Sequence, residues 1–349
     1  MQLYNTLDRR ILKERLMQEP FQRTTLSFYR YVRLEHPATL RDELYLQWDR
    51  LQVLGRIYIA REGINAQLSV PHHHLDAFRK IVDSHVAFKN VPFKIAVEDD
   101  GKSFYKLSIK VRPKLVNEGL DDNSYDVSNV GNHLDAERFN EALANPDTIV
   151  VDMRNYYEYE IGHFERALRP EGVTFREVLP EMVEKLKDAR EKKIILYCTG
   201  GIRCEKASAY FRHHGFKDVN QLHGGIIDYA RQIKVKQLDN AFLGSNFVFD
   251  NRLGEHIADE VISHCYQCGK AADKHSNCRN EACHVLFIQC EECAEKYEGC
   301  CGEECQSYLH MSEEEKELKA KEIQKIREES KYFNKDKEVL RKKFKFFEA

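Results

Sequence analysis

The sequence predicts a multidomain α/β protein: an N-terminal ferredoxin-like α+β sandwich, a central parallel α/β domain and a C-terminal cysteine-rich zinc-binding module. Three observations carry this reading. Residues 24–111 alternate strand and helix periodicities in the order βαββαβ, and residues 132–235 alternate again with strands that are apolar throughout. Nine of the eleven cysteines crowd between Cys265 and Cys305. At 349 residues the chain exceeds one ordinary domain and suits about two or three, each with its own core.

In the N-terminal domain, residues 20–112, TTLSFYRYV reads as a strand and Thr39 to Leu51 as a helix. RIYIA and NAQLSV are strands around Arg61-Glu62-Gly63, followed by a helix near Leu75–Val82 and a last strand in FYKLSIKV. Two βαβ halves in that order give a four-stranded antiparallel sheet with both helices on one face, leaving the other face free. Periodicity then fades among Pro, Gly, Asn and Asp, so residues 113–131 read as a linker or docking arm.

The central domain, residues 132–240, opens with a helix near Asp135–Ala144 and the strand TIVVD. A helix near Phe175–Ala189, the strand KIILYC, a helix from Cys204 to His213 and the short strand VNQL before Gly224-Gly225 follow. Uninterrupted apolar runs such as IVVD and IILY suit parallel strands covered on both faces. Residues 247–310 form the cysteine-rich module, and residues 311–349 a charged helix with a basic tail.

No apolar stretch approaches the ~20 residues of a membrane span and no export signal is present, so the chain reads as soluble and cytoplasmic. A net charge of −3 with 32% charged residues gives no global basic signature, and nucleic-acid binding then needs a local patch. No G-x-G-x-x-G follows a strand, hence no flavin or NAD motif, and no obligate protein partner is evident.

The strand KIILY delivers Cys198 into Thr199-Gly200-Gly201-Ile202-Arg203, and a helix follows. A cysteine between a strand end and a helix N-terminus meets inward-pointing N–H groups and the positive end of the helix dipole, both of which favour thiolate. Gly200 and Gly201 permit a tight curl that aims successive amides at one point, and Arg203 adds a fixed cation for an anionic sulfur species or oxyanion. The bland reading is a buried structural cysteine beside a turn. Strand, glycines, arginine and helix agree on a nucleophile instead. Cys204 stands open between two roles, a thiol that resolves an oxidised Cys198 and a packed first-turn residue.

Cys265-x-x-Cys268 and Cys290-x-x-Cys293 form a pair of knuckles at structural-zinc spacing. Cys278, Cys283, Cys300, Cys301 and Cys305 supply a second site, with His264, His275 and His284 as substitutes; spacing does not pair them. About two structural zinc ions would hold a module too poor in apolar residues to fold unaided. An iron–sulfur cluster is the alternative use of the same ligands. Lys106, Lys110, Arg112 and Lys114 gather at the end of the last sandwich strand, and the tail from Lys331 interleaves cations with Tyr332, Phe333, Phe344, Phe346 and Phe347. Cations beside aromatic faces suit single-stranded RNA, although charge runs are usually solvated faces.

The loop C-x-x-G-x-R at 198–203, the segment VVDMRNYYEYEIGHFERAL and the stretch GFKDVNQLHGGIIDYA together resemble a rhodanese domain. A six-residue loop in that fold implies sulfur rather than phosphate chemistry. The resemblance gives Asp152 and Arg154 the part of orienting the domain around the loop, with Glu158 and His163 in the same structural signature. The wider set RTTLSFYRY, REGINAQLSV, DDGKSFYKLSIKVR, YCTGGIRCEKAS and SHCYQCG resembles the tRNA uridine hydroxylase (TrhO) family, over about residues 20–305. That resemblance implies a tRNA partner and oxygen-dependent formation of 5-hydroxyuridine at the wobble position, with dioxygen as co-substrate and the loop cysteine essential. Against it stand a sulfurtransferase using thiosulfate or a persulfide donor, and a zinc-dependent RNA-binding scaffold, which the intact loop disfavours. The pairs His74/Asp76 and His133/Asp135 are weak iron-site candidates. Two routes remain open for Cys198, addition to uracil C6 and a persulfide.

Overall fold

A computed structural model describes residues 3–121 and 124–348. In chain order its first elements are α1 (Arg9–Met17), β1 (Arg23–Tyr31), α2 (Pro37–Arg50), β2 (Leu54–Ala60), β3 (Gly63–Pro71), α3 (Leu75–Ser84), β4 (Lys94–Ile95) and β5 (Leu107–Val111). Next come β6 (Asn132–Leu134), α4 (Ala136–Ala144), β7 (Ile149–Asp152), α5 (Tyr156–Glu160), β8 (Gly162–Phe164), α6 (Phe175–Lys185), β9 (Lys193–Tyr197), α7 (Ile202–His213), β10 (Asp218–Leu222) and α8 (Gly225–Lys236). The remainder is β11 (Phe242–Asn246), β12 (Glu255–His256), β13 (His275–Asn277), β14 (Leu286–Ile288), α9 (Glu291–Lys296), α10 (Glu303–Leu309), α11 (Glu313–Glu329) and α12 (Lys337–Lys343). These divide into two compact units, residues 1–153 with 186–239 and 249–252, and residues 154–185 with 240–248 and 253–349.

In the first unit, alternation sorts one sheet into an apolar and a polar face. Leu26 and Phe28, Ile57 and Ile59, Ile64, Ala66 and Leu68, and Leu107 and Ile109 are buried with Leu44 and Trp48 of α2 and with Phe78 and Val82 of α3. The sheet order is β4-β1-β3-β2-β5. Here the expected four-stranded antiparallel sheet is corrected. FYKLSIKV supplies a fifth strand that runs parallel to β2, and the fourth strand is the two-residue β4 paired with β1. Two residues after Pro92 are too few to show a period, so the longer apolar run took its place in the reading.

The other face carries the alternate residues. Register places Tyr29 opposite Asn65, Asn65 opposite Tyr58 and Tyr58 opposite Lys110, one row across four strands and about 14 Å long at the usual strand spacing. Of the two readings of 113–131, linker or docking arm, the structure gives an arm that docks at a few points and is otherwise largely exposed; residues 122–123 lie outside the described set. Leu115 and Tyr125 are buried, and buried Glu118 accepts from Lys206 at 2.8 Å.

A parallel sheet β6-β10-β9-β7 completes this unit. Ile194, Ile195, Leu196 and Tyr197 are all fully buried, as strands covered on both faces require. Asp135 caps α4 by accepting from the Arg138 amide, which fixes where that helix starts.

The second unit holds the antiparallel sheet β12-β11-β8, the hairpin β13-β14 and the helices α5, α6 and α9 to α12. The tail corrects a second expectation. Phe333, Phe344 and Phe347 are buried, with the Phe344 ring 5.4 Å from Tyr266 and 5.1 Å from Phe287, so they close a core and offer no face to a nucleobase. α11 is capped reciprocally by Ser312 and Glu315. Among the described residues no helix is long and apolar enough to cross a membrane.

Candidate active site and cysteine clusters

The parallel strand β9 ends at Tyr197 and α7 begins at Ile202, so the loop between them presents Cys198 to the first amides of the helix. The Gly201 amide donates to Cys198 Sγ at 3.1 Å. Gly201 has φ +92°, and an added Cβ would lie 2.9 Å from the Tyr29 hydroxyl, so glycine is required there twice over. Gly200 differs from the expectation of a paired curl. Its φ is ordinary, and a Cβ on it would meet nothing within 4 Å, which marks the open side of the loop.

Burial raises the cost of charge on Cys198, but the opposing contacts win. A hydrogen bond from the Cys204 thiol, the Arg203 charge and the amides of Arg203 and Cys204 bring its pKa down to about 6. Burial and the neighbouring Cys198 push the Cys204 thiol well up, so Cys204 is a neutral donor to a thiolate. Arg203 donates to Thr199 Oγ1 at 3.2 Å and lies 5.8 Å from the Phe249 ring. From below, the amides of Ile226 and Ile227 donate to the carbonyls of Cys198 and Thr199. Gly225 permits this approach, since a Cβ there would meet the Cys198 carbonyl oxygen at 2.5 Å.

Sequence reasoning missed the groups that β1 and β4 bring to this loop, and read His133 of β6 only as a weak iron-site candidate. The Tyr29 hydroxyl donates to Glu205 Oε1 at 2.9 Å, and the Tyr31 hydroxyl donates to the Ile202 carbonyl at 3.3 Å. His133 Nε2 lies 3.0 Å from the same Glu205 oxygen, whose hydrogen bond raises the His133 pKa. Burial pushes the Glu205 carboxyl up, yet hydrogen bonds from His133, Gln221 and Tyr29 hold it below the usual range. Lys94 Nζ sits 4.2 Å from the centre of the Tyr29 ring. No local pattern marks these partners. The one available signal was alternation, which put Tyr29 and Tyr31 on the sheet's polar face.

Asp152 ends β7 fully buried and accepts from the Tyr197 hydroxyl at 2.7 Å. In the second unit Arg154 is fully buried and donates to the Gly162 carbonyl at 2.5 Å. Glu158 closes the N-terminal capping box of α5 with Asn155, and His163 stacks on Tyr159 at 3.8 Å. Of the three cations expected to meet RNA, Lys110 and Arg112 are exposed, with Arg112 5.5 Å from the Tyr58 ring. Lys114 is engaged elsewhere, since its ammonium lies 2.6 Å from both Glu118 Oε1 and the Leu120 carbonyl.

Eight of the nine clustered cysteines gather into two groups of four, Cys265, Cys268, Cys290 and Cys293, and Cys278, Cys283, Cys301 and Cys305. The first is the pair of knuckles read from spacing. Cys300, expected among the ligands, belongs to neither group and is buried. The adjacent Cys301, just before α10, takes the ligand place together with Cys305 in the first turn of that helix. Sγ separations of 3.6 Å (Cys268–Cys290), 3.8 Å (Cys283–Cys301) and 3.5 Å (Cys301–Cys305) match the ~3.8 Å edge of a tetrahedron with 2.3 Å metal–sulfur bonds. They are far from a disulfide's ~2.05 Å. The donor sets therefore fit a tetrahedral thiophilic ion.

Comparison with known proteins agrees with the fold class read from the sequence. Residues 23–115 match the UPF0176 acylphosphatase-like domain, residues 135–232 the rhodanese-like domain and residues 243–306 the rhodanese C-terminal domain. The chain is 58% identical over 336 residues to the tRNA uridine(34) hydroxylase of Leptospira interrogans, covering 96% of this chain and 90% of that one. It is 55% identical to the protein of that name from Pectobacterium carotovorum over 82% of this chain and 81% of that one. For the Hamiltonella defensa protein the figures are 49%, 97% and 95%. Identity at this level along nearly the whole length, with the loop cysteine set in its cradle, places the chain in the tRNA uridine(34) hydroxylase family.

Proposed function

We propose that the protein is a cytoplasmic tRNA-modifying enzyme that hydroxylates the wobble uridine to 5-hydroxyuridine with dioxygen as co-substrate. Cys198 is its nucleophile and Arg203 the cation that holds negative charge at the loop. The observation that carries this is a buried Cys198 sulfur held by the Gly201 amide in a loop that has open space at Gly200 and meets Tyr29, the first residue of the polar sheet row. A wobble base must leave its stack to reach a buried sulfur, and its backbone needs a surface alongside. The row Tyr29–Asn65–Tyr58–Lys110, with Arg112 beside Tyr58, supplies polar, aromatic and cationic groups in one line. We further propose a structural zinc ion in each four-cysteine group; bound there, it cross-links the chain segments that supply its ligands.

Mass spectrometry of tRNA nucleosides tests the reading. Cells lacking the protein should lose 5-hydroxyuridine, the wild-type gene should restore it, and Cys198→Ser should not. Unchanged 5-hydroxyuridine in the deletion strain would refute it.

A further inference from the structure

Lys94 is a half-buried residue whose ammonium is drawn away from solvent and, among the described residues, has no hydrogen-bond or ion-pair partner, only the face of the Tyr29 ring 4.2 Å away. That ring is itself lodged in the site: its hydroxyl donates to Glu205 and abuts Gly201, the residue whose amide binds the Cys198 sulfur. Three anionic groups face Lys94 from three elements, Cys198 after β9, Glu205 on α7 and Asp228 on α8, and Tyr29 faces it from β1. A buried amine left without an oxygen partner is costly unless a ligand provides one. Lys94 is therefore poised to take an oxygen that arrives with the substrate beside the sulfur.

We propose that Lys94 is a catalytic residue, and that its ammonium hydrogen-bonds the uracil carbonyl oxygen which becomes negative when the Cys198 thiolate adds to ring C6. This rests on the reading that a uridine enters the site. In the step, a sulfur lone pair forms the C6–S bond, the C5–C6 π bond breaks, and its electron pair passes through C4 onto the C4 oxygen. The thiolate's charge becomes the enolate's charge, no proton leaves Lys94, and no oxidant enters. The product has a carbon nucleophile at C5, the position that dioxygen then oxidises under the proposed activity. An ammonium already fixed where charge develops stabilises that step more than the uncharged ground state.

Burial lowers the Lys94 pKa to about 8, against the raising pull of Cys198, Asp228 and Glu205. Activity should therefore fall as pH rises through about 8, as Lys94 loses its proton. The experiment uses full-length protein and an anticodon stem-loop RNA. In Lys94→Met, kcat should drop about 100-fold with KM within about threefold, the pattern of an interaction made in the transition state. In Lys94→Arg much of the rate should survive and the alkaline fall should vanish, because arginine does not titrate there. An unchanged rate in Lys94→Met would overturn the proposal. So would a raised KM with unchanged kcat and a shallower salt dependence, which is the signature of a phosphate contact. If the wild-type protein makes no 5-hydroxyuridine, the parent reading fails along with this one; an active wild type with an indifferent Lys94→Met variant sinks this one alone.

Discussion

Replacing Cys204 by alanine removes a side-chain hydrogen bond that supports the Cys198 thiolate while leaving Arg203 and the loop amides in place. A hydrogen bond to a charged group is worth about 1.5–3 kcal/mol, and one pKa unit is about 1.4 kcal/mol, so Cys198 should move up by about one to two units from about 6. At pH 7 the thiolate fraction would fall from about 0.9 to somewhere between about 0.5 and 0.1. Activity at pH 7 should drop about two- to tenfold relative to wild type, and that deficit should close by pH 9, where Cys198 is ionised in both proteins. Cys204→Ser keeps a donor and should move the midpoint by less than about half a unit. Iodoacetamide alkylation of Cys198 against pH reads the midpoint directly. A midpoint in Cys204→Ala equal to that of wild type would refute the hydrogen-bond account. A well-folded Cys204→Ser variant with no activity at any pH would instead make Cys204 an obligatory redox partner.

Cys198→Ser should lower activity by about a thousandfold or more with an unchanged circular dichroism spectrum, since the hydroxyl is not ionised at neutral pH. Wild-type modification levels in that variant would end the nucleophile assignment. Elemental analysis should give about two zinc ions per chain; Cys283→Ser should lose one and Cys300→Ser neither, because Cys300 stands outside both groups. Iron in place of zinc, or loss of an ion in Cys300→Ser, would contradict the pairing. Replacing Lys110 and Arg112 together by alanine should weaken tRNA binding and flatten its salt dependence by up to about two units of slope, at about 0.7 to 0.9 per contact. Lys114→Ala should leave the slope unchanged and destabilise the protein instead, since it strips buried Glu118 of one cation.

The parts legible in the sequence are those written in consecutive residues. The Cys198 loop is a six-residue run whose strand, glycine, arginine and helix are adjacent in the chain, and the first zinc group is two C-x-x-C knuckles. The second group was not legible, because Cys278, Cys283, Cys301 and Cys305 have no common spacing and Cys300 competes with its neighbour until the fold orients one of them inward. Strand β4 was missed for want of length, and with it the position of Lys94. Tail aromatics misled for a physical reason: a phenylalanine beside a lysine reads equally as a stacking platform and as core beneath a solvated cation. Only the packing of Phe344 between Tyr266 and Phe287 separates the two.

The residues just past the loop show why an isolated loop motif underdescribes this site. Successive positions on a helix project about 100° apart, so Cys204, Glu205 and Lys206 at the start of α7 point three ways. Cys204 reaches back to the Cys198 sulfur. Glu205 accepts from Tyr29 and faces His133, coupling the sheet's polar face to the loop. Lys206, almost fully buried, meets Glu118 at 2.8 Å, Glu62 at 3.0 Å and the Val116 carbonyl at 3.0 Å, which anchors the docked arm. Two carboxylates and a carbonyl satisfy that ammonium, and removing both acids would leave its charge buried without an anionic partner, a loss of about 3–5 kcal/mol. One turn of helix thus serves the nucleophile, the sheet and the arm together. The place of Cys204 follows from the same geometry, because position 204 is the one that turns toward the sulfur when 205 and 206 are committed to the N-terminal domain and the arm.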